Sequence, residues 1–135
     1  MKYKIQDIEG VGPSYGSRLV DAGITTTVDM LRLCCAPAGR RQVASATGLS
    51  ESLILKWANL ADLMRISGIG PQYAELLERV GVDTVKELRH RNAQNLAFSM
   101  KEINDRSHVA KRTPAVSVVE SWISAARSTE PTISH

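Results

Sequence analysis

The phrase Gly10-Val11-Gly12-Pro13-Ser14-Tyr15-Gly16 returns 58 positions later (68 − 10) as Gly68-Ile69-Gly70-Pro71-Gln72-Tyr73-Ala74. Each copy follows an apolar pair at helical spacing, Ile5/Ile8 in the first case and Leu63/Ile66 in the second. Each leads into an amphipathic stretch that stops at a glycine, Gly23 or Gly81, followed by an aliphatic residue and threonines. A single Gly-x-Gly constrains little. Two in matched surroundings mean that one supersecondary unit is used twice. The expected organisation is two similar halves, 1–59 and 60–127, fused into one unit, with a flexible tail at 128–135 that lacks periodicity.

The fold class is accordingly all-α. Strand alternation is absent, and nearly every segment reads as a short helix. With 43% hydrophobic residues and only 4% aromatic ones, the core must be mostly aliphatic. A first helix is expected over Tyr3–Ile8 and a second from Pro13 to Ala22, with Gly23 as its left-handed stop. Thr26 or Thr27 caps a third, which Pro37 ends, and Arg40–Thr47 makes a fourth closed by Gly48. Ser50 caps a longer helix carrying Leu53, Trp57, Leu60 and Met64 at core spacing. That helix runs towards the second glycine turn, so it belongs to both halves. Then come Pro71–Val80, a helix opened by the capping box Thr84-Val85-Lys86-Glu87, one capped by Asn92, and a last one starting at Thr113-Pro114. Trp57 and Trp122, near the end of each half, are expected as core anchors.

The repeated turn has chemistry available to it. Its glycines reach positive φ at little cost and carry no Cβ. The helix after it begins with unpaired N–H groups and a partial positive charge, where a phosphate fits. Val11 and Ile69, between the glycines, should plug into the core. The same glycines would also serve simply to pack two helices through a tight turn, and the sequence leaves both readings open. A nucleotide-binding loop is disfavoured, because neither copy follows a strand and no Walker Lys-Ser pair is present.

The apolar pair, the GVGP or GIGP turn and the Leu-rich helix after it resemble the helix-hairpin-helix superfamily, here as a tandem repeat. The stretch from Leu76 through VGVDTVKEL to KRTPAVSVVESWI resembles, more narrowly, a bacterial family of uncharacterised helix-hairpin-helix-like domains. The resemblance implies double-stranded DNA binding without sequence preference, with hairpin backbone amides on phosphates. It carries over to Gly10, Gly12, Gly68 and Gly70. Some members hold a monovalent cation through hairpin carbonyls; none is expected here.

The chain departs from that pattern where charge matters. Ser14 and Gln72 stand where a Lys or Arg is common. Glu9 adjoins the first turn, with Asp7 just upstream, whereas Arg65 and Ser67 precede the second; Glu75 and Glu78 on the helix after it also suit a helix N-terminus. On charge alone the second turn ranks higher. Lys111 and Arg112 precede a helix start and could flank an anion there. The other basic groups, Arg40-Arg41 and Lys86 with Arg89-His90-Arg91, read as solvated faces.

The net charge of +3 permits nucleic-acid binding without demanding it. Adjacent Cys34 and Cys35 read as free thiols of a reducing compartment, and no Cys/His spacing suggests a metal. No cofactor is expected. Lys2 and Lys4 precede a segment broken by Gln, Asp and Glu rather than a signal core, and no apolar run has membrane-spanning length. The expected location is cytoplasmic. His90, His108 and His135 form no catalytic arrangement, so no enzyme is expected. The leading expectation is a non-enzymatic DNA-binding module; the alternative is a protein-interaction or scaffold module, including self-association.

Overall fold

The computed structural model describes residues 3–135. Residues 1 and 2 of the expected first half lie outside that range. Among the described residues the fold is all-α: a 3-10 turn over Ile5–Asp7, then α1 (Gly12–Asp21), α2 (Thr27–Cys34), α3 (Pro37–Thr47), α4 (Glu51–Leu63), α5 (Pro71–Arg79), α6 (Val85–Leu88), α7 (Ala93–Ser107) and α8 (Val116–Arg127). The expected first helix is thus only this 3-10 turn. Pro37 opens α3 at its first position besides ending α2. The last helix starts two residues beyond Pro114, which is buried.

The packing repeats as the sequence does. In the first half α2 packs on α4, α3 on α4, and α1 on α3; in the second α6 packs on α8, α7 on α8, and α5 on α7. The helices α1 and α5 end alike. Gly23 N–H donates to Val20 O and Ile24 N–H to Leu19 O, while Gly81 N–H donates to Glu78 O and Val82 N–H to Leu77 O. This pair of bonds is the Schellman arrangement, and its usual apolar contact is made by Leu19 with Ile24 and Leu77 with Val82, all buried. Tyr15 stacks on Trp57 with ring centroids 5.3 Å apart, and Tyr73 on Trp122 at 5.2 Å, both pairs inclined by 54°. Both tryptophans are 1% exposed, as core anchors should be.

The helix α4 serves twice. It is the fourth helix of the first half, and its C-terminal end stands before α5 as the 3-10 turn stands before α1. One difference follows from this. In the first half Lys4, just before the 3-10 turn, forms an isolated antiparallel bridge with Thr26: Thr27 N–H donates to Tyr3 O, and Ile5 N–H to Thr25 O, both at 2.9 Å. A helix cannot offer that pairing, because its own carbonyls are used. In the second half the side chain of Asp62 does the work instead, its Oδ2 accepting from Val85 N–H at 2.8 Å. Asp62 is 1% exposed, and its Oδ1 takes a hydrogen bond from Arg65 Nη1 at 2.7 Å.

The caps differ from expectation in one respect. The reciprocal capping box forms in the first half, where Thr26 Oγ1 accepts from Asp29 N–H and Asp29 Oδ2 accepts from Thr26 N–H. Asp29 Oδ2 also takes Thr25 N–H, and that bond leads the effects holding its carboxyl below the ordinary value. At the expected box, Thr84 accepts from Glu87 N–H, but Glu87 turns to Arg91. An i,i+4 ion pair has replaced the return bond.

The segment 128–135 has no helix, yet it is tied down. Arg89 Nη2 donates to Thr129 O at 2.7 Å, Arg65 Nη2 to Glu130 O at 2.7 Å, and Arg40 Nη2 to Ser134 O at 2.8 Å. Ser134 N–H donates to Cys35 O at 2.8 Å, and Ile133 packs on the core.

Candidate functional site

The two glycine turns share a scaffold. Val11 and Ile69 are buried, as are Ile5, Ile8, Leu63 and Ile66 around them. Each aliphatic residue pins its turn to the core through apolar burial, worth roughly 1.5–3 kcal/mol per side chain. Gly10 (φ +86) and Gly68 (φ +94) both need the left-handed conformation. The next glycines differ. Gly12 has φ +64, whereas Gly70 is extended, with φ −91.

Their surroundings differ more. A Cβ built on Gly10 or Gly12 would meet no atom within 4 Å. Gly10, Pro13 and Ser14 are exposed, and the ten-residue helix α1 starts there. At the second turn a Cβ on Gly68 would lie 3.1 Å from Trp122 Nε1, and one on Gly70 would lie 3.6 Å from the Tyr3 hydroxyl. Gly68 is therefore where the indole edge passes. The second turn is the more enclosed of the two, in contrast to the ranking by charge.

The carboxylates also rearrange the ranking. Asp7 is turned back on its own 3-10 turn, its Oδ2 accepting from Lys4 N–H at 3.2 Å. Glu9 remains exposed. Glu75 is buried, 3.3 Å from Arg79 Nε and 3.8 Å from Lys56 Nζ. Burial raises the carboxyl of Glu78, opposed by the Lys56 charge. Near the second turn, Arg65 divides its guanidinium between Asp62 and Glu130 O, so its charge is already used. Gln72 is exposed.

Lys111 and Arg112 are exposed on the segment between α7 and α8. That segment is fixed by buried Asn104, whose Nδ2 donates to Ala110 O and whose Oδ1 accepts from Ala110 N–H. Among the described residues, no hydrogen bond or ion pair joins either cation to a glycine turn. Arg40 and Arg89 do not form a freely solvated face; Arg40 is buried and Arg89 half-buried. Arg40 Nη1 donates to Cys34 O and Cys35 O, both at 3.1 Å, at the C-terminal end of α2. Arg89 Nη2 donates to Ala126 O at 3.1 Å, near the C-terminal end of α8. Cations at these ends also meet the negative pole of the helix dipole. No sequence pattern marks a carbonyl acceptor, so neither role is legible from the residues alone.

The other groups give no reacting centre. Among the described residues no cluster of three or more His, Cys, Asp or Glu could hold a metal ion. Cys34 is buried and its thiol is pushed up to about 11 by that burial. Among the described residues no helix is long and apolar enough to cross a membrane. An apolar groove of about 360 Å³ runs between α7 and the segment before α8, past Ala97, Phe98, Pro114 and Val116.

The comparisons bear on the family alone. Those with curated proteins and with solved structures gave no significant match. The model of a domain family described as a domain of unknown function, DUF4332, matches residues 9–129, a span holding both glycine turns and all eight helices, and the chain belongs to that family.

Proposed function

We propose that this protein is a non-enzymatic module that binds double-stranded DNA without sequence preference, through the first of its two glycine turns, in the cytoplasm. One observation carries this reading: the open, Cβ-free surface at Gly10 and Gly12, where α1 presents its first amides beside exposed Ser14. Those amides have no intrahelical acceptor, and a phosphate oxygen supplies one. The pairing of Asp7 with Lys4 N–H supports the reading, since it turns one of the two nearby carboxylates away. Gly68 and Gly70 then keep the architecture of the repeat while serving packing. Lys111 and Arg112, exposed and without carboxylate partners among the described residues, would add charge to the field that draws DNA in.

The test is a titration of fluorescein-labelled 20-base-pair duplex followed by anisotropy at low and moderate salt. Binding is expected at a Kd of roughly 10⁻⁴–10⁻⁶ M at physiological salt, weakening steeply as salt rises. Ser14→Glu should weaken it and Gln72→Glu should leave it nearly unchanged. Absence of binding at low salt, or indifference to salt, would overturn the proposal. Arg65→Glu is a poor probe, because it would place a second carboxylate against buried Asp62.

A second reading, as a protein-interaction module, rests on Phe98. It is 62% exposed and lines the α7–α8 groove with Val116, which is itself partly exposed. Sedimentation of the purified chain, with Phe98→Ser for comparison, tests self-association. A monomer at all concentrations would remove a second copy of this chain as the partner.

A further inference from the structure

We infer that the segment 128–135 is an autoinhibitory strap, which covers a group of arginines with its backbone carbonyls and keeps them from phosphate. The inference rests on the phosphate-binding reading above and deepens it. Arg89 and Arg65 meet consecutive carbonyls, Thr129 O and Glu130 O, and Arg40 meets Ser134 O. Thr129 and Ser134 are five residues apart, which spans at most about 18 Å even when fully extended. Three guanidiniums from three separate parts of the chain therefore converge on one short stretch.

The chemistry of the contacts is unusual for arginine. Among the described residues, neither Arg40 nor Arg89 has a carboxylate partner, and only Arg65 is neutralised, by Asp62. Carbonyl oxygens accept from both Nη atoms of Arg40 and from Nη2 of Arg89 without cancelling either charge, and Arg89 Nε is buried without a hydrogen-bond partner among the described residues. A phosphate offers both the acceptor atoms and the negative charge, so it competes well for a guanidinium held this way. Nη2 of each arginine holds a strap carbonyl; loss of the strap would free Nη2 of Arg40 and Arg65, while Nη2 of Arg89 would keep its longer bond to Ala126 O. The strap binds through main-chain atoms, so most side-chain changes within it should leave it in place. Ile133, which packs on the core, and Ser134, bonded to Cys35 O, anchor its far end in the first half of the molecule.

The experiment compares the full chain with one lacking residues 129–135, by phenylglyoxal labelling with peptide mapping and by titration of the same duplex. In the full chain Arg65 and Arg89 should react slowly beside exposed Arg41 and Arg112. In the shortened chain they should react at least about fivefold faster, Arg65 more than Arg89, which keeps Ala126 O, with Arg40 gaining least because it still holds Cys34 O and Cys35 O. Duplex affinity should rise, with a salt dependence steeper by about 0.9 for each phosphate newly bound. Should the shortened chain not fold by circular dichroism, Ile133→Ser in the full chain gives the same readings in milder form. Unchanged arginine reactivity overturns the strap. Faster labelling without any gain in duplex affinity, in a chain that does bind duplex, overturns its inhibitory role. If neither chain binds duplex, the phosphate reading falls and the inhibitory role with it, while labelling still decides whether the arginines are covered.

Discussion

Gly68 and Trp122 form a packing pair: a Cβ on the glycine would stand 3.1 Å from the indole nitrogen, and the glycine itself holds φ +94. Gly10, at the matching place in the first half, has a similar φ of +86 and no neighbour. Alanine at Gly10 should therefore cost only the left-handed strain, roughly 1–2 kcal/mol. Alanine at Gly68 should cost that and a displaced indole, roughly 2–4 kcal/mol in all. Urea unfolding of both variants checks the difference. Equal losses would show that Trp122 does not constrain the second turn.

Asp62→Ala should be among the most damaging single changes on α4. It leaves Val85 N–H without its acceptor and Arg65 without its carboxylate, a loss of roughly 3–5 kcal/mol. Asp62→Asn keeps an acceptor for Val85 and should cost clearly less. Denaturant midpoints of the two variants provide the test, and a mild Asp62→Ala would contradict the structural role.

The Cys34 thiol should make stability fall at high pH. Its value is raised from 9.0 to about 11 by burial, so between those values the unfolded chain loses this proton before the folded one does. Stabilisation is complete below pH 9 and is lost as pH rises towards 11, at no more than about 1.4 kcal/mol per pH unit. Thermal unfolding from pH 8 to 10.5 should show a decline that Cys34→Ala reduces. At pH 8, iodoacetamide should modify half-buried Cys35 faster than buried Cys34.

Glu9→Lys should improve duplex binding, since it replaces an exposed carboxylate beside the open turn with a cation. If the new charge meets one phosphate, the salt dependence steepens by about 0.9. A gain in affinity with an unchanged salt slope would mean that the lysine acts elsewhere. No gain at all would place the contact away from Gly10.

The repeat made much of the architecture legible. Helix stops at Gly23, Gly48 and Gly81, the buried Val11 and Ile69, the tryptophan anchors and the shared α4 all follow from local pattern, and local pattern survives in one dimension. The features that escaped are those set by distant atoms. Asp62 sits inside an apolar stripe, and only the approach of Val85, 23 residues on, gives its carboxylate a purpose. Arg40 and Arg89 read as surface charge because their acceptors are main-chain oxygens, which every residue carries; Arg65, read as a phosphate contact of the second turn, is held by Asp62 and Glu130 O. Segment 128–135 lacks periodicity for the same reason: it is held by its backbone, not by a patterned face. The enclosure of the second turn depends on Tyr3 and Trp122, neither of which belongs to the motif.

The double use of α4 has a consequence for growth. A helix that finishes one half and introduces the next is the joint of a linear array, and by the same rule α8 could introduce a third turn. Beyond α8, however, the chain bends back towards Cys35 and Arg40 in the first half. The segment after the second member is thereby bolted to the first, which ties the two halves of the stack together.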